Sequence, residues 1–150
     1  MPPRLTYAQF CAQLIPGKVF YFSCDALHTS DPHYFVLVMN QTPDIHYFSC
    51  VTSQLATMQR LVELKRYPHE SIVFFSGADS ENPFTKDCFV NCNEVFPYGV
   101  EELWYLYDEG ELTIKGDIPP DSYHQIVIGF HSSPLIELEL KELLPNPNAM

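Results

Sequence analysis

The spacing of apolar and polar positions changes several times along this chain, and each change marks an element. Thr6 followed three residues on by Gln9 has the form of a capping box, with Leu5 and Phe10 placed as a hydrophobic staple, which predicts a short helix over residues 7–14. Pro16-Gly17 interrupts it, and the β-branched and aromatic run 18–23 reads as a strand. Residues 33–40 and 45–52 are two more such runs around Gln41-Thr42-Pro43-Asp44, whose turn formers predict a hairpin. Leu55, Met58, Leu61, Val62 and Leu64 recur at near-helical spacing, with Arg60, Lys65 and Arg66 among them, up to Pro68. Residues 71–76 and 87–93 read as strands on either side of a loop containing Gly77, Asp79, Asn82 and Pro83.

Five strands between residues 18 and 93, joined by short connections, predict a compact barrel or two packed sheets. The last third differs. Residues 100–108 and 121–130 are helix-like, and Ser133 with Pro134 supplies a cap and an N1 proline for a helix over 135–144, before a Pro-Asn tail expected to fray. The expected organisation is one α+β domain over residues 1–150, with a sheet core at 17–98 and a helical extension at 99–144.

Composition agrees with a folded chain: 46% of the 150 residues are apolar and 18% charged, far from a disordered composition. No window holds the ~18–20 apolar residues of a membrane helix, and no apolar stretch of a signal peptide follows Met1-Pro2-Pro3-Arg4. Five cysteines, an odd number, then fit reduced thiols in a cytosol. The net charge of −11 is uneven. Residues 1–100 carry nine carboxylates against six Lys and Arg, and residues 101–150 carry ten against two. A polyanion would therefore meet the first part of the chain.

Candidate chemistry is sparse. Cys88 and Cys92 on one strand stand about 13 Å apart at ~3.3 Å per residue, too far to share a zinc ion at ~2.3 Å per bond. Convergence of Cys24, Cys50, Cys88 and Cys92 from different strands is a weaker idea than buried apolar cysteines. Cys24, Asp25 and His28 are neighbours in sequence without any signature of a nucleophilic site around them. The six glycines are scattered, so no phosphate loop is present, and no metal or cofactor is implied. Val51-Thr52-Ser53-Gln54 closes a strand just before the basic segment of Arg60, Lys65 and Arg66, which puts hydroxyls and cations near one another. Caps for the following helix are the plainer use of Thr52 and Ser53. His33, at the start of the preceding strand, can reach the same region across the hairpin.

The run His33-Tyr34-Phe35-Val36-Leu37-Val38-Met39, the strand end Val51-Thr52-Ser53, then Ser71-Ile72-Val73-Phe74 and Val90-Asn91-Cys92-Asn93-Glu94 resemble, in order, the elements of the PemK/MazF toxins over residues 17–98. That resemblance implies an SH3-like barrel, a single-stranded RNA substrate, a protein antitoxin and a homodimer. Cleaving relatives carry an Arg and, two positions on, an acid where this chain has Asn91 and Asn93. Asn donates hydrogen bonds but neither carries the charge of Arg nor titrates like Asp. Two readings follow. One is an altered endoribonuclease that uses His33, Thr52, Ser53 and Lys86, with Arg60, Lys65, Arg66, Asn91 and Asn93 binding RNA. The other is a catalytically silent barrel that binds a protein. The acidic residues 101–142, with Trp104, Tyr105 and Tyr107, are either a cover for the groove or, more simply, a helical subdomain with a solvated face.

Overall fold

The computed structural model describes residues 4–25, 27 and 31–150, with the backbone alone at Leu55 and Leu61. Helix α1 (Tyr7–Ala12) starts at the expected capping box, with Gln9 N–H donating to Thr6 Oγ1 and Thr6 N–H to Gln9 Oε1. Strands β1 (Lys18–Phe22), β2 (His33–Thr42) and β3 (Ile45–Thr52) follow, the last two as the predicted hairpin. Then come α2 (Leu55–Glu63), a 3-10 turn (His69–Ser71), β4 (Ile72–Phe75), β5 (Cys88–Asn91) and β6 (Phe96–Gly99). The chain ends with α3 (Val100–Asp108), β7 (Thr113–Asp117), α4 (Pro120–Ser132) and α5 (Leu138–Lys141).

Among the described residues there are seven strands rather than five, in one antiparallel sheet of order β4-β5-β3-β2-β1-β7 with β6 also on β3. The sheet is open and does not close into the expected barrel, because β4 and β7 end the hydrogen-bonded path and do not pair with each other. Two short strands escape the sequence pattern for identifiable reasons. Strand β6 contains Pro97 and Gly99, and β7 contains Gly116 at φ 123°, a left-handed conformation that a side chain would strain.

Strand β3 organises the sheet. Along one edge it pairs with β2; along the other it pairs first with β6, from Ile45↔Gly99 to Phe48↔Phe96, and then with β5 at Val51↔Val90 and Thr52↔Phe89. The partner changes around Ser49, which is fully buried and donates its hydroxyl to the Glu94 carbonyl in the β5–β6 connection.

Both faces of β2 are buried, which is why its sequence is a continuous apolar run instead of an alternation. Phe35 and Leu37 join an aromatic core with Phe10, Phe20, Phe22, Phe48 and Leu103, covered by α1 and α3. Phe22 stacks on Phe35 at 4.5 Å and meets Phe48 edge-on at 5.7 Å. Val36 and Val38 join the second core with Val51, Val73, Val90, Ile126, Val127 and Phe130, covered by α4. Between Leu37 and Met39 the register with β3 shifts, and the Val38 carbonyl there accepts the Tyr123 hydroxyl of α4 at 2.8 Å. Gly129 lets α4 settle onto the 3-10 turn and onto Cys92 just after β5, since a Cβ there would lie 2.7 Å from the Glu70 carbonyl and 2.8 Å from Cys92 Sγ.

A polar clasp joins these elements. Asn93, 4% exposed, donates through Nδ2 to Ser71 Oγ (2.8 Å) and Asn91 Oδ1 (2.9 Å), and its Oδ1 accepts from Ser133 Oγ (2.6 Å). This use of Ser133 corrects the expected helix over 135–144. Ser133 ends α4 instead of capping the next helix, Pro134 and Leu135 form a turn, and α5 is one short turn starting at Leu138. The tail expected to fray carries bonds of its own, His131 Nε2 donating to the Pro145 carbonyl and His124 Nε2 to that of Pro147.

Because every polar atom of the Asn93 side chain is spent inside the fold, Asn93→Ala removes three hydrogen bonds, each worth about 0.5–1.5 kcal/mol. Ser71 Oγ keeps its bond to the Pro68 carbonyl and Asn91 Oδ1 its bond from the Asn93 N–H, while the Ser133 hydroxyl loses its acceptor. Urea denaturation is expected to show a loss of about 2–4 kcal/mol; a loss below about 0.5 kcal/mol contradicts the clasp.

Candidate functional site

The end of β3 and the start of β2 lie side by side in the sheet, and the loop entering β5 crosses in front of them. Together they enclose a cleft of about 270 Å³. Its polar lining is His33, Thr52, Ser53, Gln54, Thr85 and Lys86; its apolar wall is Tyr21, Tyr34, Val51 and Phe84. The four residues singled out as a rearranged catalytic group, His33, Thr52, Ser53 and Lys86, all line this one cleft.

Local structure explains each position. His33 opens β2 opposite Phe22 of β1, and its Nδ1 lies 2.9 Å from the Asp31 carbonyl. A carbonyl only accepts, so Nδ1 carries the proton, and in the neutral ring Nε2 keeps its lone pair. Thr52 ends β3 opposite Phe89, and its Oγ1 accepts from the Gln54 N–H at 3.3 Å, which leaves its hydroxyl hydrogen to donate elsewhere. Gln54 is the N-cap of α2, so the positive end of that helix also stands at the cleft wall. Lys86 and Ser53 are exposed. The neighbouring Asp87 turns away, its carboxylate accepting from the Gly77 N–H at 2.8 Å.

The wall is an aromatic ladder reaching from the core to the cleft. Phe75 meets Phe84 at 5.1 Å, Phe84 meets Tyr34 at 5.5 Å, and Tyr34 meets Tyr21 at 4.9 Å. Among the described residues no Asp or Glu lines the cleft, in a chain whose net charge is −11. Four carboxylates gather instead in an adjoining groove of about 980 Å³, lined by Asp25, Glu101, Glu102 and Glu111 with Tyr98 and Tyr105 and, among the described residues, by no Lys or Arg. Tyr21 and Pro32 belong to both hollows.

The other residues read from the sequence lie elsewhere. Arg60, Lys65 and Arg66 are exposed on the far part of α2 and the turn after it, Arg66 at φ 55°. Arg60 is six residues beyond Gln54, about 9 Å along the helix axis. None of the three lines the cleft, and neither does Asn91 or Asn93. Asn91 Oδ1 accepts from both the main-chain N–H and the side-chain Nδ2 of Asn93, so the two asparagines form an internal brace. No residue of 101–150 lines the cleft either; α3 covers the aromatic core, with Trp104 and Tyr107 against Phe10. Of the two readings of residues 101–142, the cover therefore finds no support in the lining of this cleft.

Cysteine chemistry has little support. Cys88 touches the cleft, but burial, and then the charge of Asp87, push its thiol up to about 11. Burial pushes Cys92 still higher and Cys50 to about 12. Cys24 is buried, and His28 of the Cys24-Asp25-His28 trio lies outside the described residues. Among the described residues no three or more His, Cys, Asp and Glu side chains are placed to hold a metal ion. Among them, too, no helix is long and apolar enough to cross a membrane.

No family model matches the chain, and no curated protein matches it. Among solved structures the chain is similar to an endoribonuclease in complex with its cognate antitoxin from a mycobacterial species, at 16% identity and a TM-score of 0.48, over 89% of this chain and 98% of that one.

The hydrogen bond from His33 fixes a tautomer that is directly observable. At a pH where the ring is neutral, ¹⁵N NMR of the imidazole is expected to show Nδ1 protonated and Nε2 bare. A dominant Nε2–H form contradicts the bond to the Asp31 carbonyl.

Proposed function

We propose that this chain is a divergent PemK/MazF-like protein that binds single-stranded RNA in the cleft of His33, Thr52, Ser53 and Lys86 and cleaves it slowly without a metal ion. The observation that carries the reading is a cleft that pairs a lysine and a histidine with an aromatic wall and, among the described residues, has no carboxylate in its lining, on a strongly acidic chain. A phosphodiester fits such a lining electrostatically, and a nucleobase fits the wall. The volume of about 270 Å³ falls below the ~300–1,000 Å³ of sites for larger ligands, so it suits one nucleotide of a flexible strand and not a duplex.

The chemistry assigns each group a task. The Nε2 lone pair of His33 takes the proton of a ribose 2′-hydroxyl, whose oxygen attacks the adjacent phosphorus. Lys86, with donors from Thr52 and Ser53, steadies the charge that grows on the phosphoryl oxygens. The 5′-oxygen departs with a proton from water, leaving a 2′,3′-cyclic phosphate. One imidazole cannot serve both ends of an in-line displacement at once, so the leaving oxygen lacks a dedicated acid and the rate is modest. A protein antitoxin or a second copy of the chain belongs to this reading as a regulator.

A second reading has its own observation. The acidic, tyrosine-lined groove beside the cleft suits a protein surface better than a polyanion, as expected of a catalytically silent binding module.

Incubation of long mixed-sequence single-stranded RNA with nuclease-free protein separates the readings. Cleavage to cyclic-phosphate ends is expected, reduced about 10²–10⁴-fold in His33→Ala, the usual contribution of a general base, and reduced also in Lys86→Ala. Fully 2′-O-methylated RNA is expected to bind and stay intact. Equal cleavage by His33→Ala overturns the mechanism, and a folded protein that neither binds nor cleaves RNA leaves the protein-binding module.

A further inference from the structure

The cleft has a second cation beside it that the sequence pattern does not single out. Lys115 lies on β7, beyond residues 17–98; it lines neither hollow, and the pairing of β7 with β1 brings it to Tyr21 at the edge of the cleft. Val19 pairs with Gly116 and Phe20 with Ile114, so Lys115 is the extra residue of a β-bulge and faces no partner on β1. Its ammonium stands 5.5 Å from the centroid of the Tyr21 ring. Lys115 is exposed, and among the described residues no carboxylate forms an ion pair with it; the lysine of β1, Lys18, is paired with Asp117 instead.

Tyr21 is shared by the two hollows, together with Pro32. On one side of it lies the carboxylate-free cleft, and on the other the groove of Asp25, Glu101, Glu102 and Glu111. A polyanionic strand leaving the cleft past Tyr21 would meet those four carboxylates.

We propose that Tyr21 and Lys115 form a terminal nucleotide subsite, in which Tyr21 packs against a nucleobase, Lys115 pairs with its phosphate, and the acidic groove bars the next nucleotide. The proposal rests on the RNA-binding reading above and deepens it, because it fixes one end of the strand. Single-stranded nucleic acid sites combine cations that follow the backbone with rings on which bases stack, and Tyr21 with Lys115 supplies one of each. The two act through different physics. A lost lysine contact reduces counterion release, whereas a lost ring removes stacking that salt barely affects.

The test is fluorescence anisotropy of a labelled, mixed-sequence single-stranded RNA 12-mer, its ribose 2′-O-methylated to prevent cleavage, titrated with the full chain at several salt concentrations. Lys115→Ala is expected to weaken binding several-fold and to shallow the log–log salt slope by about 0.7, the share of one phosphate contact on a single strand. Lys115→Arg should keep the slope. Tyr21→Leu is expected to weaken binding roughly five- to a hundredfold with the slope unchanged. Glu101→Gln with Glu111→Gln should strengthen binding and steepen the slope. Thermal melts alongside identify any variant that fails to fold, and for Tyr21 the β-branched Tyr21→Thr, which also removes the ring, then takes its place. If the wild type binds and both Lys115→Ala and Tyr21→Leu match it in affinity and slope, the subsite is wrong while the cleft reading stands; a lysine that only guards the edge of the sheet gives that result. If the folded wild type binds no RNA, the cleft reading fails and takes the subsite with it.

Discussion

The change of partner along one edge of β3 is the constraint on which the rest of this structure depends. A strand has two edges, and β2 occupies one of them over most of its length, so β6 and β5 must share the other in succession. Ser49 holds the changeover by its bond to Glu94. The sheet built around β3 separates two cores, one on each face. On one face phenylalanines from β1, β2 and β3 pack beneath α1 and α3; on the other, mostly aliphatic side chains pack beneath α4. It also places the free end of β3, with Thr52 and Ser53, beside the start of β2 and the loop before β5, which is where the cleft forms.

Electrostatics then separate two neighbouring surfaces. Most of the excess acid lies in the last third of the chain, and α3 brings Glu101 and Glu102 to the groove on the far side of Tyr21, while Lys86 and His33 line the cleft as groups able to carry positive charge. Opposite preferences on the two sides of one ring give the surface a direction. In the proposed reading an anionic strand is attracted on one side of Tyr21 and repelled on the other, and because these charges are exposed the contrast weakens as salt is raised.

How much of this is legible in the sequence depends on how local the cause is. The capping box of α1 and the β2–β3 hairpin follow from residues within a few positions of one another, and both form as expected. The strand ends that carry His33 and Thr52 are legible for the same reason, and they bring the cleft with them. Strands β6 and β7 are not, because Pro97, Gly99 and Gly116 break the usual strand pattern and pairing with β3 and β1 is what makes those segments strands. Lys115 is hidden along with β7. Asn91 and Asn93 look like ligand positions on a strand, but Ser133, which completes the clasp, lies 40 residues further on. No local pattern announces such a bond. Ser133 itself reads as a helix cap, since its hydroxyl fits that use equally well until the distant Asn93 engages it.

Photo-crosslinking tests the central claim most directly: a single-stranded RNA carrying 5-iodouridine is bound to the full chain and irradiated, and the attached peptides are identified by mass spectrometry. The account predicts attachment at the rings that line the cleft, Tyr21, Tyr34 or His33. Attachment confined to the segment of Arg60, Lys65 and Arg66, with the cleft rings unmodified, would contradict it.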